Sequence, residues 1–246
     1  MENRVAEITH LSKSFGNNHV LNDISFKIGK GENLVVLGKS GSGKSVLIKC
    51  LVALLKPDKG DVLLFGENIA GLKERELNLL RKKIGFLFQS AALYDSMSVR
   101  ENLEFPLRDL KSKPKEEIDA LVIEALENVG LESAIDKMPS ELSGGMRKRI
   151  GLARTLILKP EIILYDEPTT GLDPITSKEI SELILDVQKK YNTASIIITH
   201  DMECAEITAN NMIIIKEGLV VAQGTFKEIA ESKDEWIRSF FNKQKE

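Results

Sequence analysis

Gly38-Lys39-Ser40-Gly41-Ser42-Gly43-Lys44-Ser45 joins an apolar run, Leu34-Val35-Val36-Leu37, to a helix-like stretch from Val46 to Leu55. This order of strand, small-residue loop and helix is what a polyphosphate-binding loop requires. Glycines let the backbone fold tightly enough to aim successive N–H groups at phosphate oxygens, and the helix that follows adds its positive N-terminal end. Lys44 is then expected on the β and γ phosphates and the Ser45 hydroxyl on Mg²⁺, which points to a nucleoside triphosphate. A glycine-rich turn with an incidental lysine explains Gly43, but not the lysine and serine that follow it.

A second group of residues suits the same chemistry. Glu161-Ile162-Ile163-Leu164-Tyr165-Asp166-Glu167-Pro168 puts two adjacent carboxylates just beyond the end of a buried strand, where open α/β sheets bind ligands. Asp166 is expected to hold Mg²⁺, usually through water, and Glu167 to orient and polarise the water that attacks the γ-phosphate. Alone, such a pair is equally a solvated acidic turn; the loop upstream favours the chemical reading. Leu142-Ser143-Gly144-Gly145-Met146-Arg147 supplies another small-residue turn before a helix, Arg147 to Leu158, and so a second N-terminus able to grip phosphate. One nucleotide does not easily need both from the same molecule.

The chain has 246 residues, 42% of them hydrophobic, which suits one large domain or one domain with an inserted subdomain. Lys plus Arg total 34 against 37 Asp plus Glu, so the net charge of -3 gives no global attraction to nucleic acid. Met1-Glu2-Asn3-Arg4 lacks an apolar targeting core, and uncharged apolar runs reach only about five residues where a membrane span needs about 20. A cytoplasmic chain, held at a membrane only by a partner, is the expectation. Cys50 and Cys204 lie far apart in helix-like segments without metal-ligand spacing, and read as packed, reduced thiols.

Two antiparallel strands are expected near the start, the second from Val20 to Ile28, ahead of the buried strand Asn33 to Leu37. Lys56-Pro57-Asp58-Lys59-Gly60 is a turn before a short strand, Asp61 to Phe65, and Ile84 to Phe88 reads as another buried strand. From there to about Leu158 the pattern is helical, with a capping box at Ser98-Val99-Arg100-Glu101 and apolar residues from Ile118 to Val129 at helical spacing. Apolar strands return at Ile162 to Tyr165, Ala194 to Ile198 and Met212 to Ile215, alternating with helices begun by Asp173-Pro174 and by Asp201. Such alternation implies a mostly parallel, covered sheet.

The order phosphate loop, Gln89, Leu142-Ser143-Gly144-Gly145, Asp166-Glu167, Gly171-Leu172-Asp173 and His200 resembles the ATP-binding-cassette ATPases over nearly the whole chain. The resemblance implies an α/β P-loop NTPase fold, with a mostly parallel core sheet, an N-terminal antiparallel β part and an inserted helical subdomain. Residues 1–246 then form one domain, 1–89 and 159–246 the core and 90–158 the helical insert. It also implies ATP with Mg²⁺, and two copies paired head to tail, each ATP lying between one copy's loop and the partner's Ser143-Gly144-Gly145. Carried over, the loop set runs from Gly38 through Ser45 to Val46, and Gln89 touches Mg²⁺ and the attacking water. Asp173 crosses the dimer interface, and His200 hydrogen-bonds the γ-phosphate. Phe15 stands where the family often has a tyrosine stacked on adenine, a core aromatic being the rival reading. Met146 replaces the usual glutamine and has lost its hydrogen-bonding capacity.

The stretch from Leu87 to Leu107 is unusually apolar and small for the exposed region after such a glutamine, and suits a groove for a helix of a membrane subunit, with Leu93, Tyr94 and Met97 as anchors. With Met138 to Met146 and Asp173-Pro174-Ile175-Thr176 it resembles the Mla/Mce-type lipid-transport ATPases, a branch that carries methionine at the position of Met146. That resemblance implies an MlaE-type permease, an MCE-domain lipid-binding protein, phospholipid or other lipid cargo, and a place on the cytoplasmic face of the inner membrane. Alternatives are a soluble cassette ATPase of iron–sulfur cluster assembly, a cassette subunit for another substrate, and a nucleic-acid-associated ATPase. The last usually needs tandem cassettes or a long coiled coil, neither of which is present in this sequence. Trp236, Phe240 and Phe241, at near-helical spacing, are expected to seal the chain's own fold; docking on a neighbouring subunit is the minority reading.

Overall fold

The computed structural model describes residues 4–109 and 114–242. Two long strands, β1 (Arg4–Phe15) and β2 (Asn18–Gly29), form an antiparallel pair, and β3 (Asn33–Leu37) is buried along its whole length. Helix α1 (Lys44–Leu51) follows the phosphate loop, then come β4 (Lys59–Leu64), the two-residue β5 (Glu67–Asn68), α2 (Glu74–Arg81) and β6 (Ile84–Leu87). The helical stretch holds α3 (Val99–Glu104), α4 (Lys115–Glu127) and α5 (Gly144–Leu156). After it the chain alternates through β7 (Ile162–Asp166), α6 (Pro174–Tyr191), β8 (Ala194–Ile198), α7 (Met202–Thr208), β9 (Asn211–Lys216) and β10 (Leu219–Gly224). Helices α8 (Phe226–Ala230) and α9 (Glu235–Asn242) complete the described chain.

The strands make two sheets, an antiparallel one ordered β2-β1-β4-β5 and a larger one ordered β10-β9-β3-β8-β7-β6. In the larger sheet β9, β3, β8, β7 and β6 run parallel, and β10 adds an antiparallel edge. Runs such as Leu34-Val35-Val36-Leu37 and Ile196-Ile197-Ile198 carry no polar alternation because both faces are covered. One face packs on α1 and the antiparallel sheet through Leu34, Val36, Ile48, Ile8 and Ile24. The other packs on α5, α6 and α7 through Val35, Ile163, Ile197, Leu152, Ile184 and Ala205. A third apolar centre lies within the helical stretch, where Val99, Leu103, Val122 and Leu126 meet Ile150 and Ala153 of α5.

Parallel register decides where the chemistry sits. Val36 faces Ile198, Ile198 faces Asp166, and Tyr165 faces Leu87 across successive strands. The carboxyl ends of β3, β8, β7 and β6 are therefore level, and the segments that leave them share one edge.

Several elements depart from the expected bounds. Helix α1 starts at Lys44 rather than Val46, because Gly43 with φ 103 turns the loop directly into it. It ends at Leu51 rather than Leu55, since Ala53 adopts φ 55 and Arg81 donates from Nε to the Val52 carbonyl (3.0 Å) and from Nη2 to that of Ala53 (3.1 Å). Helix α5 begins at Gly144, three residues early, with Ser143 as its N-cap. Tail helix α9 lays Trp236, Phe240 and Phe241 against the second apolar centre, which includes Ile214, Ile229 and Ile237. Replacing Ile197, fully buried in the central strand β8, by alanine is expected to cost about 2–5 kcal/mol in a denaturant titration, and a loss near zero contradicts the packing described.

Candidate active site

The loop from Gly38 to Val46 forms one wall of a cavity of about 920 Å³, with every loop residue but Ser42 in the lining. Its backbone needs glycine: Gly41 and Gly43 lie at φ 80 and φ 103, in the left-handed region. A Cβ at Gly43 would stand 2.8 Å from the Val20 carbonyl oxygen of β2, and one at Gly38 only 2.7 Å from that of Ile215 in β9. The loop is thus wedged between the two sheets. Lys44 is 9% exposed, and its ammonium donates to the Gly38 carbonyl at 2.7 Å and the Lys39 carbonyl at 3.1 Å. Burial pulls its pKa down, and Glu167 and Asp166 oppose that pull. The buried Ser42 hydroxyl has no hydrogen-bond partner among the described residues.

Asp166 ends β7 and Glu167 follows at φ 51, a left-handed conformation that is strained for a residue with a side chain. Burial raises the Asp166 pKa, and the neighbouring Glu167 charge raises it further against the pull of Lys44 and Lys148. Glu167 is held at several points. Its N–H donates to the Ile198 carbonyl (2.9 Å), while its Oε2 accepts from the Thr170 hydroxyl (3.1 Å) and lies 2.7 Å from His200 Nδ1. Its side chain is 16% exposed and that of His200 66%, so the carboxylate is fixed at the cavity floor beneath a more accessible imidazole. A carboxylate held this way keeps lone pairs free to orient a water molecule.

The structure brings Gln89, Asp166, Glu167 and His200 to the same cavity as the loop residues Gly38, Lys39, Ser40, Gly41, Gly43, Lys44, Ser45 and Val46. Phe15 is not brought there: it is 48% exposed, outside the lining, with the Lys13 ammonium 5.5 Å from its ring. Ser143, Gly144, Gly145 and Asp173 also lie outside the lining and form a second patch. Gly145 faces Thr176 so closely that a Cβ would stand 2.5 Å from its methyl, and Gly144 abuts Leu172. Asp173 caps α6, accepting from the Thr176 N–H at 3.0 Å and its hydroxyl at 2.6 Å. The Met146 side chain packs toward the apolar centre of the helical stretch, so its thioether serves packing there.

Several lining or supporting residues escaped the sequence reading, among them Val20, Thr170 and Ile198 of the lining. Ser239 and Phe240 of α9 border the cavity, and the Trp236 ring lies 5.8 Å from Lys39 of the loop and 4.6 Å from Lys216. Lys148 of α5, 5% exposed, donates to the Glu167 carbonyl at 3.0 Å. A charged residue three positions from Gly145 and four from Leu152, both buried on the same helix face, was the available signal.

A glycine-cradled lysine at a helix start, facing carboxylates at the neighbouring strand end, defines a P-loop nucleotide hydrolase. The ABC transporter family profile matches residues 21–170, and the chain belongs to that family. It is an ATP-hydrolysing ATPase of a transporter. It is 41% identical to the "Probable ribonucleotide transport ATP-binding protein mkl" of Mycobacterium leprae, over 96% of this chain and 68% of the relative, so the chain spans about two thirds of that protein. It is 38% identical to the "Intermembrane phospholipid transport system ATP-binding protein MlaF" of Haemophilus influenzae, over 95% of this chain and 89% of that one. The dimeric, ADP- and Pi-bound ATP-binding cassette MJ0796 superposes with a TM-score of 0.81 at 30% identity, over 90% of this chain and 98% of that one.

Lys44→Ala is expected to weaken ATP binding by at least about tenfold in a fluorescent-nucleotide titration, since a buried charge-assisted phosphate contact is lost; unchanged affinity removes Lys44 from the phosphate. Glu167→Gln is expected to keep ATP affinity and lower kcat by roughly 10²–10⁴, the range of general-base catalysis, and normal turnover excludes Glu167 as the base.

Proposed function

We propose that two copies of this chain pair head to tail around two ATP molecules and drive a membrane permease that moves phospholipids or related lipids between membranes. The observation that carries the pairing is the separation of the two phosphate-gripping turns, because Ser143-Gly144-Gly145 lies outside the cavity lined by Gly38–Val46. Ile175, 74% exposed in the first turn of α6, flanks that second patch beside the N-cap Asp173. The dimeric state of MJ0796 supports the same arrangement.

Within each site Lys44 turns from the Gly38 and Lys39 carbonyls to the phosphates, and the loop N–H groups take the remaining oxygens. Glu167 orients the attacking water and accepts its proton, with Thr170 and His200 holding the carboxylate. His200 also reaches the γ-phosphate. Ser45, Gln89 and Asp166 line one cavity and offer hard oxygen donors, too few to enclose a cation alone, which fits Mg²⁺ completed by phosphate and water. These residues would hold the ion, which when bound neutralises phosphate charge.

The membrane side of the reading rests on the surface after Gln89. Phe88 and Tyr94 are 44% and 43% exposed, whereas Leu93 turns toward the helical centre and Met97 is half-buried. Tyr94 is a firm anchor: Asn102 bonds its backbone N–H at 2.8 Å and its carbonyl at 3.1 Å, and Phe105 backs the ring at 4.6 Å. Among the described residues no helix is long and apolar enough to cross a membrane. The lipid path is assigned to an MlaE-type permease, with an MCE-domain protein beyond it, on the likeness to MlaF. The chain sits on the cytoplasmic face of the inner membrane. Lipid as cargo follows the likeness to MlaF; ribonucleotide is the second reading, prompted by the name of mkl.

Co-expressed with its permease, the chain is expected in the membrane fraction. Tyr94→Asp is expected to return it to the supernatant with basal ATPase within about twofold, as befits a contact remote from the nucleotide. Vesicles carrying the complex are expected to move a fluorescent phospholipid on ATP addition; movement of labelled ribonucleotide instead overturns the lipid assignment.

A further inference from the structure

Lys148 is a buried ammonium that the mechanism above leaves without a task. It lies on α5, five positions beyond Ser143, and is 5% exposed. A buried charge is retained only where it is paired or hydrogen-bonded. Here the partner is specific, the backbone carbonyl of Glu167 at 3.0 Å.

That carbonyl belongs to an unusual residue. Glu167 combines φ 51 with a following proline, Pro168, and the residue before a proline is driven toward extended backbone. Such a conformation persists only where the surroundings over-determine it. Its N–H is pinned by Ile198 and its carboxylate by Thr170 and His200, while its carbonyl accepts from the Thr170 N–H at 3.3 Å and, at the shorter distance of 3.0 Å, from the Lys148 ammonium. Asp166 and Glu167 both draw the ammonium inward, while burial brings its pKa down to about 8.

We propose that Lys148 is a positioning residue that fixes the backbone of Glu167 and thereby links the turn that grips the partner's nucleotide to the general base. The path is short and stiff. Ser143 caps α5, Gly145 is packed on Thr176, and Lys148 projects from the next turn onto Glu167. Farther along the same helix, Gly151 is pressed against Leu87 and Ala91, and Arg154 donates to the Ala91 and Ala92 carbonyls. A shift of α5 when the Ser143 turn is filled therefore moves the Lys148 ammonium against the base. This inference rests on the pairing and on the role of Glu167 given above, and it adds the element through which the two communicate.

The test is steady-state ATPase of Lys148→Met, a change that keeps the length and removes the donor. Expected are a kcat lower by roughly 10–100-fold, the effect of mis-setting a catalytic group by about an ångström, a KM for ATP within about twofold, and an unchanged Tm. In a Glu167→Gln background the same substitution is expected to cost nothing further, because there is no base left to position. A wild-type kcat, a matching rise in KM, or an added loss on top of Glu167→Gln overturns the proposal. Should Lys148→Met fail to fold, Lys148→Leu, smaller and equally without a donor, must show the same drop in kcat at constant KM, and wild-type turnover overturns it. Full activity in Glu167→Gln alone is a different failure, since it removes the base and the positioning role together.

Discussion

Four ionised groups confined to one edge of a sheet govern this site: the ammoniums of Lys44 and Lys148 and the carboxylates of Asp166 and Glu167. Each would be expensive in isolation, and each is supported by the others. Burial pulls both lysines down and Asp166 up, while the opposite charges restore the ionised forms. The arrangement is balanced before a nucleotide arrives, so a triphosphate brings negative charge that calls for a cation beside it. Level register of β3, β8 and β7 makes the balance feasible, because it sets Lys44 and the carboxylates on the same edge without a long loop between them.

One strained backbone turn lies at that edge. The left-handed turns of the phosphate loop fall on Gly41 and Gly43, where they carry little cost, but the one after β7 falls on Glu167, where they do not. A glutamate in that conformation aims its side chain across the cavity floor and its carbonyl back into α5. Function on this reading is a consequence of backbone geometry as much as of side-chain type. The same economy holds at Tyr94, whose ring is exposed while its backbone is locked by Asn102.

Strands, helix caps and most of the lining were legible in the sequence because each rests on local chemistry. Buried parallel strands announce themselves as unbroken aliphatic runs, and Ser98, Asp173 and Asp201 all cap the helices expected of them. Helix α2 escaped because Glu-Arg-Glu-Leu-Asn-Leu-Leu-Arg is only eight residues long and fully buries a single leucine, Leu80, which gives a helical period little length in which to show. Strand β10 escaped because an edge strand exposes every other residue. Long-range placement was hidden for a different reason: nothing local tells that Phe240 reaches the cavity, that Phe15 stands outside its lining, or that Lys148 ends on a carbonyl nineteen residues away.

On the proposed pairing each reaction centre is assembled from two chains, which complementation between two damaged chains tests. Two variants are prepared, one carrying Lys44→Ala with Ser143 intact and the other Ser143→Arg with Lys44 intact, and ATPase activity is measured for each alone and for their mixture. Each variant alone is predicted to be nearly inactive, and mixing them to restore turnover, since one of the two sites then receives a whole loop from one chain and a whole Ser143 turn from the other. Full activity of the Ser143→Arg chain alone, or a mixture no more active than its components, would contradict the account.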